Sequence, residues 1–144
     1  MRASTAPAAA VVVGVLTLTV CRRVVADATA IVAPVSIPIS ADDLEEAAAG
    51  RRWAFLVTSS SDADHAHVVS LGVEWSAGGV MTLGVGDGRA ARNISAGASP
   101  VVVFPPGGSG ERSDYSIVVD GAGALADGVL TVTPTGAMWH RPAP

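Results

Sequence analysis

A chain of 144 residues fits one domain, and only 15% of it is charged, against roughly 25% in average soluble domains. Apolar residues make up 49%, the net charge is −4, and all nine basic residues are arginines that form no basic run, which argues against nucleic acid as a partner. The single cysteine, Cys21, excludes an internal disulfide framework and a cysteine-based zinc site.

Residues 1–35 read differently from the remainder. Ala8 to Cys21 is an apolar run of 14, too short for an ordinary membrane span but the length of a signal-peptide core, with Arg2 ahead of it. Ala26-Asp27-Ala28 and Ala28-Thr29-Ala30 resemble small-residue cleavage sites, whereas Arg22 and Arg23 follow the run where signal peptides rarely carry charge. Two readings stay open. One is a disordered leader or a start placed too early, with Val32 or Val35 as alternative first residues and a cytoplasmic product. The other is secretion or membrane association through residues 1–30.

From Ser36 the elements follow in order. Ser40-Ala-Asp-Asp-Leu-Glu-Glu opens a helix, with Ser40 as its cap, Asp43 at the capping-box position and Gly50 at its end. Asp42, Asp43, Glu45 and Glu46 read as its solvated face. Trp53 to Thr58 is a short apolar strand, and Ser59 to Asp64 a polar turn. Ala66 to Trp75 reads as one strand, with His67, Val69, Leu71, Val73 and Trp75 on one face and Ala66, Val68, Ser70, Gly72 and Glu74 on the other. The next strand repeats the asymmetry, Met81, Leu83 and Val85 against Val80, Thr82 and Gly84. A loop of Ser76-Ala77-Gly78, with Gly78 left-handed, would set Ser70 opposite Gly84 and Gly72 opposite Thr82. The result is a sheet patch of small residues on which a flat ring could lie.

Gly86-Asp87-Gly88 then turns the chain into a helix that carries Arg89 and Arg92, three apart on one face, with Asn93 four residues after Arg89. Helix starts favour acids, so two arginines there break a local rule, and a bound anion such as phosphate would offset it. The alternative is that both are simply solvated. Pro100 to Phe104 is a buried strand, and its valines read as buried on both faces, which suggests a homodimer. Pro105 to Arg112 is a loop. Tyr115 to Leu125 is a long strand with a bulge at Gly121 and Gly123. Asp127-Gly128 is a hairpin turn, and Val129 to Thr133 the last strand, stopped by Pro134. Six strands linked mostly by hairpins, with two short helices, predict a mainly β antiparallel barrel.

The competing chemistry is thin. His65 and His67 face the same way and, with Asp62, Asp64 and distant His140, would make a weak metal site lacking a third placed ligand. No Ser-His-Asp, Cys-His or paired-carboxylate arrangement is recognisable from spacing. Trp53, Trp75 and Trp139 read as core or dimer contacts.

The order IPISADDL, WAFLVTSS, HVVSLGVEW, GDGRAARNI, VVVFPP, YSIVVDGAGAL and VTPTGAMWHRPAP, over Ile37 to Pro144, resembles the pyridoxamine 5′-phosphate oxidase-like split barrels, in particular their small actinobacterial-type members. The resemblance implies a six-stranded split β-barrel over residues 36–144 and a homodimer with a flavin in a groove between subunits. It implies FMN, or alternatively a deazaflavin coenzyme, with its phosphate at Arg89 and Arg92. The ring would lie on Val68, Val69, Ser70, Leu71, Met81, Thr82, Leu83 and Gly84, with Asn93 counted among the cofactor-binding residues. Two classes of function follow: a flavin- or deazaflavin-dependent oxidoreductase acting on a small molecule, or a non-catalytic split-barrel dimer that binds haem, flavin or nothing. No membrane partner is expected.

Overall fold

The computed structural model describes residues 36–60 and 65–141, so the readings of residues 1–35 lie outside the described residues. Its strands are β1 (Ser36–Pro38), β2 (Ala54–Thr58), β3 (His67–Leu71), β4 (Glu74–Ser76), β5 (Val80–Gly84), β6 (Val101–Phe104), β7 (Ser116–Ala126) and β8 (Val129–His140). Two short helices interrupt them, α1 (Leu44–Ala47) and α2 (Arg89–Ser95). All strand pairings are antiparallel, in the order β3-β2-β6-β7-β8-β5-β4, with β1 beside the far end of β8.

That order forces closure. A flat sheet seven strands wide would hold its edges about 29 Å apart, at about 4.8 Å per strand. The edge strands β3 and β4 are joined by Gly72 and Val73 alone, and that link spans only about 10 Å. The sheet therefore rolls until its edges meet, the geometry of a split barrel. Its interior is filled by alternate residues of each strand: Leu56, Met81, Leu83, Val102, Phe104, Ile117, Val119, Leu130 and Val132 are all buried. Leu44 of α1 and Ala90 and Ile94 of α2 join this core, and Trp75 stacks on Phe104 with ring centroids 5.7 Å apart.

Eight strands replace the six expected. The stretch read as one strand from Ala66 to Trp75 breaks at Gly72-Val73, so that β3 pairs with β2 and only β4 pairs with β5. The hairpin register also differs by two residues. The loop is Ala77–Gly79, Glu74 lies opposite Thr82, and neither Ser70 nor Gly72 pairs with β5. Gly79 is the cause. It is left-handed like Gly78, and a side chain on it would run into the Ala41 carbonyl, so the loop closes one residue later than the composition suggests. A slip of two keeps every residue on its face, so the large-in, small-out asymmetry stands.

The last strand does not stop at Pro134. It runs on to His140, because Pro134 lies opposite Gly121 at the register shift, where Thr135 is the extra residue and no ladder bond is demanded of the proline. The bulge at Gly121 is where it was expected. Asp127 and Gly128 both have positive φ, 49° and 76°, the paired left-handed conformation of a tight hairpin. Around α1, the Ser40 hydroxyl accepts from the Asp43 amide and donates to its carboxylate, so the cap forms although the α-helix proper is only four residues long. Among the described residues no helix is long and apolar enough to cross a membrane.

Candidate functional site

The turn that carries the arginines is stapled to the barrel. The amides of Val85 and Gly86 both donate to the Gly128 carbonyl at 2.9 Å, which ties the end of β5 to the β7–β8 hairpin. Gly88 then enters α2 with its backbone extended and no side-chain cap. Ala90, Ala91, Asn93 and Ile94 form the buried face of α2. At about 100° per residue, Arg89 and Arg92 fall on the opposite face, and both are exposed.

Arg92 lines a cavity of about 570 Å³ with Gly86, Asp87, Ala91, Ser95 and Gly128 among its walls, and its Nη1 donates to the Asp87 carbonyl at 3.1 Å. Arg89 stands one helical turn earlier and lies outside that lining. Neither guanidinium forms an ion pair among the described residues. Asn93 parts company with them. It is buried, and its Nδ2 donates to the Thr58 hydroxyl at 3.0 Å, a bond that pins α2 to β2. It lies about 40° round the helix from Arg89, far enough to turn inward.

The eight strand residues divide by face. Met81 and Leu83 are fully buried and Val69 and Leu71 half-buried, all packed in the barrel core. The side chains of Met81 and Leu83 are closed to a ligand outside. Val68, Ser70, Thr82 and Gly84 point outward. An added Cβ on Gly84 or Gly72 meets nothing within 4 Å, so open space lies over both glycines. Neither glycine carries a side chain into that space. The outward face continues on β2 and β6 as Phe55, Val57, Val101 and Val103, in register with Ser70 and Val68 on β3. Trp53 is 58% exposed and Val68 53%, a large apolar area for a free surface.

Comparison with solved structures places this architecture. A FAD-binding protein from Mesorhizobium loti is 14% identical, matches 76% of this chain and 100% of its own, and has a TM-score of 0.57. A FAD-binding protein from Mycobacterium smegmatis is also 14% identical, over 74% of this chain and 99% of its own, with a TM-score of 0.50. The chain shares the fold of these two proteins, an antiparallel split barrel. No family model matches the sequence, and no curated protein is significantly similar to it.

Two features of this split barrel escaped the sequence reading. The Asn93–Thr58 bond joins residues 35 apart, and no local pattern marks it. The second is a cluster at the end of β8. The Arg51 and Arg112 guanidiniums lie 5.0 and 5.6 Å from the Trp139 ring centroid, and Tyr115 meets that ring edge-on. Among the described residues no three His, Cys, Asp or Glu side chains gather as metal ligands, and Asp62 and Asp64 lie outside the described residues.

Proposed function

We propose that this split barrel binds a flavin on the outer face of β3 and β5, with its phosphate at Arg92 and Arg89, and serves as an oxidoreductase on a small molecule. The observation that carries the reading is the open surface over Gly72 and Gly84. Gly84 ends the strand that leads, through the stapled Gly86–Gly88 turn, into Arg89 and Arg92, neither of which forms an ion pair among the described residues. The fold likeness to two FAD-binding proteins supports a flavin generally, and FMN, FAD and a deazaflavin are the three to be distinguished. When bound, the flavin would supply the electron transfer, so the lack of a recognisable acid–base pair in the chain is compatible with redox work. The chain's own part is to hold the phosphate, to present backbone to the ring and to keep water from one ring face.

The outer apolar face supports a homodimer. Phe55, Val57, Val101, Val103 and Val118 are contiguous through the strand registers, and a second copy laid on them would also wall the ring's other side.

The test is titration of the apo protein with FMN, FAD and a deazaflavin in turn, followed by fluorescence and thermal shift. A charge-assisted bond to phosphate is worth roughly 1.5–3 kcal/mol, so replacing Arg89 and Arg92 together by Ala weakens binding by about two orders of magnitude or more. Gly84→Val leaves the apo protein folded, because its side chain enters open space, and blocks the ring. If wild type binds none of the three, the oxidoreductase reading falls and a non-catalytic barrel stands in its place. Binding unchanged by the double Ala substitution places the phosphate elsewhere.

A further inference from the structure

We propose that a second cavity, between β1, α1 and the 105–115 loop, binds a small zwitterion of amino-acid type carrying one carboxylate and one ammonium. This cavity of about 530 Å³ lies in the size range of small-molecule sites and shares no lining residue with the Arg92 cavity. Charge is scarce in this chain, nine basic and thirteen acidic residues in 144, yet Asp43, Glu46, Arg51, Glu111 and Arg112 all line this one space. Among the described residues none of the five forms an ion pair with another. Opposite charges that face one cavity and stay apart are what a ligand bearing both signs would bridge.

The arginine side of the cavity is short of anions. Besides its stacking on Trp139, Arg51 makes hydrogen bonds among the described residues to backbone carbonyls: its Nη2 donates to those of Tyr115 at 2.9 Å and Arg112 at 3.4 Å, and its Nη1 to that of Ala47 at 3.3 Å. Its Nε is buried without a partner among the described residues, and desolvation lowers the pKa of the guanidinium. Neutral carbonyls satisfy donors but leave the net charge uncompensated. Among the described residues the Arg112 guanidinium has Trp139 as its contact and no acceptor. On the acidic side, Asp43 takes a hydroxyl bond from Ser40, and the Glu46 carboxylate takes none among the described residues. A pure anion would meet three carboxylates on the walls and a pure cation two guanidiniums. A zwitterion with its carboxylate at Arg51 and Arg112 and its ammonium toward Asp43 and Glu46 meets both, and Trp139 offers its apolar body a wall.

The experiment is calorimetric titration of the full chain with three probes of one shape: L-phenylalanine, 3-phenylpropionate and phenethylamine. Phenylalanine should bind at least about tenfold tighter than either single-charge analogue. Arg112→Ala and Glu46→Gln should each weaken it about tenfold or more; Glu46→Gln should leave the melting temperature unchanged, since that side chain makes no hydrogen bond among the described residues, and Arg112→Ala should lower it by no more than a few degrees, for its lost contact with Trp139. Flavin binding should be unaffected by both, which separates this site from the groove of Arg89 and Arg92. Phenylalanine binding weaker than about 1 mM, equal binding of all three probes, or indifference to both substitutions would overturn the proposal.

Discussion

Asn93 offers a test that separates scaffold from cofactor contact. Its amide donates to Thr58 Oγ1 at 3.0 Å, with Thr58 1% and Asn93 8% exposed. Asn93→Ala removes the bond and strands the Thr58 hydroxyl where water cannot reach it. A buried group left unsatisfied costs about 1–3 kcal/mol on top of the roughly 1 kcal/mol of the bond itself. Ala is the better helix former by about 0.6 kcal/mol, too little to offset that. A net loss of about 2 kcal/mol follows, or roughly 8 °C in melting temperature for a domain of this size. Thr58→Val keeps the shape and strands the Asn93 amide instead, which retains some contact with water, so about 1 kcal/mol is expected. The double variant strands nothing and should be no worse than Asn93→Ala alone. The assay is urea unfolding of all four proteins in apo form, giving a coupling energy of about 1–2 kcal/mol. Additivity within about 0.5 kcal/mol would refute the structural role. So would a melting temperature untouched by Asn93→Ala together with lost flavin affinity, which would make Asn93 a cofactor contact instead.

Other positions give sharper single outcomes. Gly121→Ala would drive a methyl into the Val132 side chain, with the Thr133 carbonyl at 3.1 Å, and should destabilise by about 1–3 kcal/mol in a thermal melt. Phe55→Asp puts a charge in the centre of the outer apolar face, and light scattering should report monomer where wild type is dimer; a wild type that is itself a stable, folded monomer would sink the dimer reading. Arg51→Lys keeps the charge but loses the fork that joins Ala47 to Tyr115, and should lower the melting temperature by several degrees. A shortened chain beginning at Val35 should stay soluble with an unchanged melting temperature, and loss of soluble protein would show that residues 1–35 support the domain.

What the sequence makes legible is whatever depends on period and punctuation. The large-in, small-out alternation of β3 and β5 was readable because the pleat has a period of two. The Asp127-Gly128 turn was readable because few residues accept positive φ. What escaped depends on contacts distant in sequence. Gly79 needs its missing side chain because Ala41 sits over it, and Ala41 is 38 positions away, so the hairpin register came out two residues off. Pro134 ends a strand by local rules, yet here it faces a bulge set by Gly121 on the neighbouring strand. The break at Gly72-Val73 has the same origin. Closing the barrel requires the chain to leave one sheet edge and join the other, and nothing local announces that.

For the arginine pair, the support for a phosphate site differs between sequence and structure. Read from the sequence, Arg89 and Arg92 stand out because a helix start disfavours cations. In the structure α2 is only seven residues long, so few aligned peptide dipoles contribute and that penalty is small. What supports the groove instead is shape. Gly84 and Gly72 leave open space above the sheet, and two amides on one carbonyl hold the turn that follows β5. Arg92 donates its Nη1 to the Asp87 carbonyl and lines the cavity, whereas among the described residues Arg89 does neither. The order of importance therefore runs from the glycines to Arg92 to Arg89. In the titrations Gly84→Val should abolish ring binding outright, Arg92→Ala should account for most of the loss in the double variant, and Arg89→Ala alone should matter least.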